Sequence, residues 1–239
     1  MKAMIFAAGL GTRLYPLTKD KPKALAPFGN MTLLEYNLKY LASKGISSFI
    51  VNTHHFAEKI REYLYFNEYF GLDIHISHEE KLLDTGGGLA KVRDMINEEQ
   101  ILLYNVDVIS NIDIEEMYQY HLNNKSDITL ATRKRETSRY LLFDTDSKMI
   151  GWKNEKTGEI KSCSDETYIK KLAFSGISLI NTNILNSLGE IEKKSVIDFY
   201  LKVCKDHKIL SYQHDQSYWF DCGSTDKLNR AFSFVNMHI

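Results

Sequence analysis

No stretch of this 239-residue chain is apolar for long enough to cross a bilayer. The apolar run at the N-terminus breaks at Gly9 after a few residues, too soon even for the hydrophobic part of a secretory leader. Neither sign of charge is in excess. Thirty basic residues face 31 acidic ones, a net charge of −1, which excludes the broad basic field of a general nucleic-acid binder. There are three cysteines, Cys163, Cys204 and Cys222, odd in number and without the paired spacing of a zinc site; they are expected to stay reduced in a cytosol. The three prolines, Pro16, Pro22 and Pro27, all fall in the opening segment, so Thr12 to about Asn30 is expected to be a structured loop, and ordered loops of that length usually serve a function. Linkers, repeats and low-complexity segments are missing as well. These absences leave a cytoplasmic protein with neither nucleic acid nor membrane as partner. With 44% hydrophobic residues, it can fold as one domain over residues 1–239.

What is present reads first as alternation. Met4 to Phe6, Ser48 to Asn52, Asp73 to Ser77 and Ile101 to Tyr104 read as strands. Between them lie helical patterns: Leu34, Leu38 and Leu41 with Gly45 as a C-cap, then Ala57 to Phe70, then Leu89, Val92 and Ile96. This β-α-β-α-β-α-β succession predicts an α/β fold, a Rossmann-like three-layer α/β/α arrangement with a mostly parallel central sheet. Residues 139–160 read as short strands and turns, an antiparallel insertion at the sheet edge. Lys171 to Asn181, Ile209 to Gln213 and Tyr218 to Phe220 are expected as strands, Val196 to Val203 and Thr225 to Val235 as helices. Ligands of such sheets bind outside the carboxyl ends of the strands. Gly9 to Arg13, Glu79 to Gly88 and Asn105 to Asp107 all fall there, so three separate segments converge on one crevice.

The Gly9-Leu10-Gly11-Thr12-Arg13 turn offers backbone N–H groups and a fixed cation to an anion. Leu14 occupies the place of the third glycine of a dinucleotide fingerprint, and no Walker spacing is present. A G-x-G turn can also be a turn and nothing more. Lys21 and Lys23 argue for a ligand, because two lysines and an arginine on one loop repel one another unless an anion sits among them. Asp107 and Asp221 each end an apolar or aromatic strand; together they could share one Mg²⁺, with phosphate oxygens and water completing the coordination, whereas either alone reads as a cap or turn former. Gly86 to Gly88 would let the backbone approach a flat ligand, and Glu79 could accept hydrogen bonds from a base.

These residues carry a resemblance. Phe6-Ala7-Ala8-Gly9-Leu10-Gly11-Thr12-Arg13-Leu14, then Pro22-Lys23, then Thr85-Gly86-Gly87-Gly88, then Asp107 at the end of a strand, resemble the sugar-1-phosphate nucleotidyltransferases over residues 1 to about 110. Phe174-Ser175-Gly176-Ile177 and Trp219 to Ser224 continue it more thinly. The similarity leans to N-acetylmuramate-1-phosphate uridylyltransferases and extends to bacterial mannose- or heptose-1-phosphate guanylyltransferases. It implies a nucleotide-binding half over 1–110 and a sugar-binding half over 111–239. Ala7, Ala8 and Gly9 would contact the nucleoside. Gly11, Thr12 and Arg13 would hold the β- and γ-phosphates, and Lys23 the α-phosphate, with Arg13 and Lys23 as the catalytic cations. Glu79 and Thr85 to Gly88 would read the base. Asp107 and Asp221 would hold Mg²⁺. Asn105, Ser175 and Gly176 would line the sugar-phosphate pocket. Two departures stand out: Val106 replaces the usual glycine and could narrow the pocket, and the family's sugar-phosphate lysine has two candidates, Lys153 and Lys156.

The implied reaction joins an NTP to a sugar-1-phosphate and releases pyrophosphate, a step in nucleotide-sugar biosynthesis serving the cell envelope. UTP with N-acetylmuramate-1-phosphate is the leading pair, a guanylyltransferase acting on mannose- or heptose-1-phosphate the second. A phosphocholine cytidylyltransferase and a non-catalytic nucleotide-sugar-binding module remain open. The sequence leaves the oligomeric state unread.

Overall fold

The computed structural model describes residues 1–164 and 167–238. Strand β1 (Lys2–Phe6) leads into a loop with single 3-10 turns at Thr12–Leu14 and Lys23–Leu25, then a small hairpin of β2 (Pro27–Phe28) and β3 (Met31–Thr32). Next come α1 (Leu33–Ser43), β4 (Ser48–Thr53), α2 (Ala57–Phe66), β5 (Asp73–His78), α3 (Asp84–Val92), β6 (Gln100–Asn105), β7 (Val108–Ser110), α4 (Ile114–Asn123) and β8 (Ile128–Arg133). The chain continues through β9 (Arg139–Phe143), β10 (Met149–Asn154), β11 (Ile160–Ser162), β12 (Lys170–Asn181), α5 (Val196–Val203), β13 (Ile209–Gln213), β14 (Trp219–Asp221) and α6 (Thr225–His238).

The central sheet runs β5-β4-β1-β6-β12-β8-β13. Strands β5, β4, β1 and β6 are parallel, β12 is antiparallel to both β6 and β8, and β13 is parallel to β8. Strand β8 therefore points the same way as β6, and the carboxyl ends of β1, β4, β5, β6, β8 and β13 share one edge. The first residues of β12 pair with β9, which pairs with β10 and β10 with β11; this is the antiparallel insertion.

Side chains alternating along each strand supply two apolar layers. Ala3 and Ile5 of β1, Phe49 and Val51 of β4, and Leu102 and Tyr104 of β6 belong to one buried cluster, closed by α1, α2, α4 and α6. Met4, Ile50, Ile101 and Leu103 belong to the other, closed by α3 and α5. Helices α1, α4 and α5 start at side-chain caps: Thr32 accepts from the Glu35 amide, Asp113 from the Glu116 amide, and Ser195 with Asp198 forms a capping box, each contributing about 1 kcal/mol.

Three expectations change. The helix from Ala57 stops at Phe66, because Glu68, Tyr69 and Phe70 all take positive φ. Cys163 and Cys204 are joined in a disulfide rather than free; 41 residues separate them, and only the packing of β11 beside the end of α5 brings their Cα atoms to 6.2 Å. Gly86, Gly87 and Gly88 form no open loop but the buried first turns of α3. They approach protein rather than a ligand: a Cβ on Gly87 would lie 2.1 Å from the Glu192 carbonyl oxygen, and one on Gly86 2.7 Å from that of Ser195. The Gly86 and Gly87 amides both donate to the Lys194 carbonyl, at 2.9 and 3.2 Å.

Glycine to alanine inside a helix normally gains about 1 kcal/mol. In Gly87→Ala the clash reverses the sign: a net loss of about 1–3 kcal/mol is expected, read as a lower midpoint in urea unfolding at unchanged slope.

Candidate active site

The opening turn is anchored from below. Leu14 is fully buried in the core, and its amide donates to the Gly11 carbonyl at 2.9 Å, as does the Thr18 hydroxyl. Gly11 has φ +65°, and a Cβ there would sit 2.9 Å from Lys23 Cβ, so the glycine lets the two limbs of the loop close on each other. Thr12 and Arg13 remain exposed on the turn, while Ala7 and Ala8 are buried at its base.

Strand β14 pairs with β7 so that Asp221 lies opposite Val108, and the Cys222 amide donates to the Asp107 carbonyl at 2.7 Å. Asp107 and Asp221, 114 positions apart, thus become neighbours at the edge where β6 ends. Each has a lysine: Lys23 bonds the Asp107 carboxylate, and Lys227 of α6 meets Asp221 at 3.0 Å. Burial pushes Asp221 up, but Lys227 and the Gly223 amide outweigh it and hold the carboxyl below its usual range. The Cys222 thiol beside them is pushed up to about 12 by burial and the two carboxylates. A methyl group on Gly223 would touch both Arg13 Nη2 and Asp221 Oδ1, each at 2.7 Å, so the arginine reaches the same spot. Arg13, Lys23, Asp107 and Asp221 are therefore brought together. Oxygen-only carboxylate donors suit a hard divalent cation such as Mg²⁺.

Glu79 is placed differently from its expected role at a base. It is 1% exposed, with one carboxylate oxygen accepting from Asn52 Nδ2 at 2.7 Å and the other from the Leu83 amide at 2.9 Å. Asn52 Oδ1 in turn accepts from the Ala7 amide at 2.7 Å. Glu79 therefore acts through Asn52 on the start of the phosphate turn. Gly88 packs on this pair, where a Cβ would lie 2.8 Å from both Asn52 Nδ2 and Glu79 Oε1. Thr85 is tied down as well, its hydroxyl accepting from the Val196 amide at 2.9 Å.

Of the residues expected at a sugar phosphate, Asn105 Nδ2 lies against Gly176, whose φ of +76° and lack of a side chain admit it at 2.7 Å from the Cβ position. Ser175 does not line the pocket: it is fully buried and its hydroxyl bonds His214 Nε2 at 2.7 Å. Val106 does not narrow it either; its side chain is 2% exposed in the core, and its carbonyl accepts from Asn37. Lys153 shares Glu155 with Lys171, at 3.3 and 2.8 Å, and Lys156 stands exposed in the turn after β10. Asn52, Arg135 and Lys227 were not among the site residues expected from the sequence, and Trp219 entered only as part of the strand before Asp221. Asn52 and the Arg133-Lys134-Arg135 run end or follow β4 and β8, so the strand-end rule that found Asp107 could have found them. Nothing local marks Lys227.

Burial, then Arg133, pull the His214 imidazole down to about 4, so it is neutral in the folded chain at pH 7. An unfolded histidine protonates near 6.5. Its contribution is complete above that pH and is lost as pH falls toward 4. His214→Gln, which keeps a donor toward Ser175, is expected to lose less melting temperature between pH 7 and pH 4.5 than the parent chain does; equal losses would remove His214 from this account.

Among the described residues no helix is long and apolar enough to cross a membrane. The nucleotidyl transferase family matches residues 2–237. The chain is 31% identical over 234 residues to the D-glycero-alpha-D-manno-heptose 1-phosphate guanylyltransferase of Aneurinibacillus thermoaerophilus, covering 97% of this chain and 96% of that protein. It is 30% identical to the protein of the same name from Campylobacter jejuni, covering 93% and 95%. The crystal structure of HddC from Yersinia pseudotuberculosis complexed with GMP-PN superposes with a TM-score of 0.77 at 20% identity, covering 98% of this chain and 99% of that one, and shares its fold. A turn that presents amides and cations, two carboxylates made neighbours at the same sheet edge, and a match over nearly the whole length lead to one conclusion: this chain belongs to the nucleotidyl transferase family and is a sugar-1-phosphate nucleotidyltransferase.

Proposed function

We propose that this enzyme transfers a guanylyl group from GTP to a manno-configured sugar 1-phosphate, a heptose or mannose, giving a GDP-sugar and pyrophosphate. The observation that carries the reaction type is the pairing of Asp107 with Asp221 beside Arg13 and Lys23. Support for the base and sugar comes from the two relatives at 30% and 31% identity, both named as heptose 1-phosphate guanylyltransferases. This displaces UTP with N-acetylmuramate-1-phosphate as the leading pair. The glycines that carried the uridylyl resemblance serve helix packing instead, and Glu79 is spent on Asn52.

The reaction needs no general base. A phosphate oxygen of the sugar 1-phosphate, already anionic, attacks the α-phosphorus of the triphosphate; the bond to the bridging oxygen breaks and pyrophosphate leaves. What stands in the way is repulsion between two anions. Arg13 and Lys23 offset it by charge and by holding the triphosphate in line. Asp107 and Asp221 would hold Mg²⁺, which when bound neutralises phosphate charge. Lys23 and Lys227, which hold these carboxylates here, would yield them to such a cation, and Lys23 would then be available to the α-phosphate. The segments on both sides of residue 110 contribute, the first mainly to the nucleotide and the second to the sugar, and we infer that they work as one domain.

Pyrophosphate release measured across four NTPs and a panel of sugar 1-phosphates tests this. GTP with mannose 1-phosphate or D-glycero-alpha-D-manno-heptose 1-phosphate is expected to exceed all other pairs; preference for UTP would reverse the base assignment. Asp107→Asn and Asp221→Asn are each expected to lower turnover by about two orders of magnitude or more, and near-normal Mg²⁺-dependent turnover in both would remove the metal assignment.

A further inference from the structure

Among the described residues, Arg135 is a cation without a paired counter-ion. It follows β8 at the sheet edge that carries Asp107, and its guanidinium stacks 4.5 Å from the centre of the Trp219 ring. One Nη donates to the Phe174 carbonyl at 3.1 Å, and Nε is enclosed with no hydrogen-bond partner among the described residues. Among the described residues Arg135 makes no ion pair, while Arg13's neighbour Asp221 attracts it from a distance. A half-buried charge left unpaired in this way is unfavourable unless something else supplies the anion.

The surroundings say where that anion would sit. Trp219 opens β14, which ends at Asp221. Its indole N–H donates to the Ser175 carbonyl at 2.8 Å, and the next residue, Gly176, is the one against which Asn105 packs. Arg135, Trp219, Gly176, Asn105 and Asp221 thus form one continuous wall on the sugar side. The candidate lysines are less suited: Lys153 is drawn to Glu155, which Lys171 also holds, and Lys156 projects from an exposed turn. A planar guanidinium fixed by stacking and by one backbone bond keeps its remaining N–H groups in a fork that matches two phosphate oxygens.

We propose that Arg135, seated on Trp219, grips the phosphate of the sugar 1-phosphate and so takes the part for which Lys153 and Lys156 are candidates. This rests on the nucleotidyl-transfer reading above. The bond from Arg135 to Phe174 alone would make it a brace for β12, so the test must separate grip from brace.

Steady-state kinetics with GTP, and mannose 1-phosphate or D-glycero-alpha-D-manno-heptose 1-phosphate as acceptor, make that separation. In Arg135→Met the KM for the sugar phosphate is expected to rise about 20-fold or more while that for GTP stays within about 2-fold. Arg135→Lys, which keeps the charge without the fork, is expected to fall between. Equal rises in both KM values in both variants, or none, would overturn the grip and leave a brace. Mannose 1-phosphate titration followed by tryptophan emission gives a second readout, independent of turnover: saturable in the parent chain and shifted to about 20-fold higher concentration in Arg135→Met. A parent chain inactive with every pair would defeat the reaction assignment, and an unshifted titration would defeat Arg135 separately.

Discussion

Two carboxylates set side by side repel each other, and much of this molecule is arranged around that fact. Asp107 and Asp221 are held together by the β7–β14 ladder and by the Cys222 amide, and two like charges so close call for positive charge nearby. Lys23 and Lys227 supply it from opposite ends of the chain, with Arg13 adjacent. The opening loop and the last helix are therefore tied to the same two side chains, one from residues 9–25 and one from α6. A site that collects cations around paired acids is also one that can exchange those cations for a metal and phosphates.

The region around α3 is held by close backbone contact and by one buried carboxylate. Gly86 and Gly87 let α3 press on the segment before α5, and Gly88 lets it press on Asn52 and Glu79. The buried chain from Glu79 through Asn52 to the Ala7 amide then fixes where the phosphate turn leaves β1. A residue that looks like a ligand contact in the sequence is here one step removed, positioning the loop that makes the contact. The sugar side depends on β12, which carries Gly176 and whose Phe174 and Ser175 carbonyls are taken by Arg135 and Trp219.

The alternation of apolar strands with helical patterns was enough to place the parallel core and its layers, because burial on both faces leaves a period that local sequence records. Gly9 to Arg13, Asp107 and Asp221 stood out as candidates because each lies at or beside a strand end, where a polar residue interrupts an apolar run, and Lys23 because it adds a cation to a loop that already carries Arg13 and Lys21. The helix after Ala57 ran short because three successive residues adopt positive φ, which no local pattern announces. That Glu79 turns inward to Asn52 and the Leu83 amide, and Ser175 to His214, was not legible, because these partners come from distant segments.

The sequence by itself determined the fold class, and it singled out the Gly9 to Arg13 turn and the two acids as candidates, since these readings depend on local periodicity and on residue chemistry at strand ends. Tertiary structure alone decided which groups meet: the Cys163–Cys204 bond, the Lys227–Asp221 pair, the packing role of Gly86 to Gly88 and the stacking of Arg135 on Trp219. Most of these join residues dozens of positions apart, the Lys227–Asp221 pair only six. Their meeting is set by sheet order and register, which no single segment of the chain encodes.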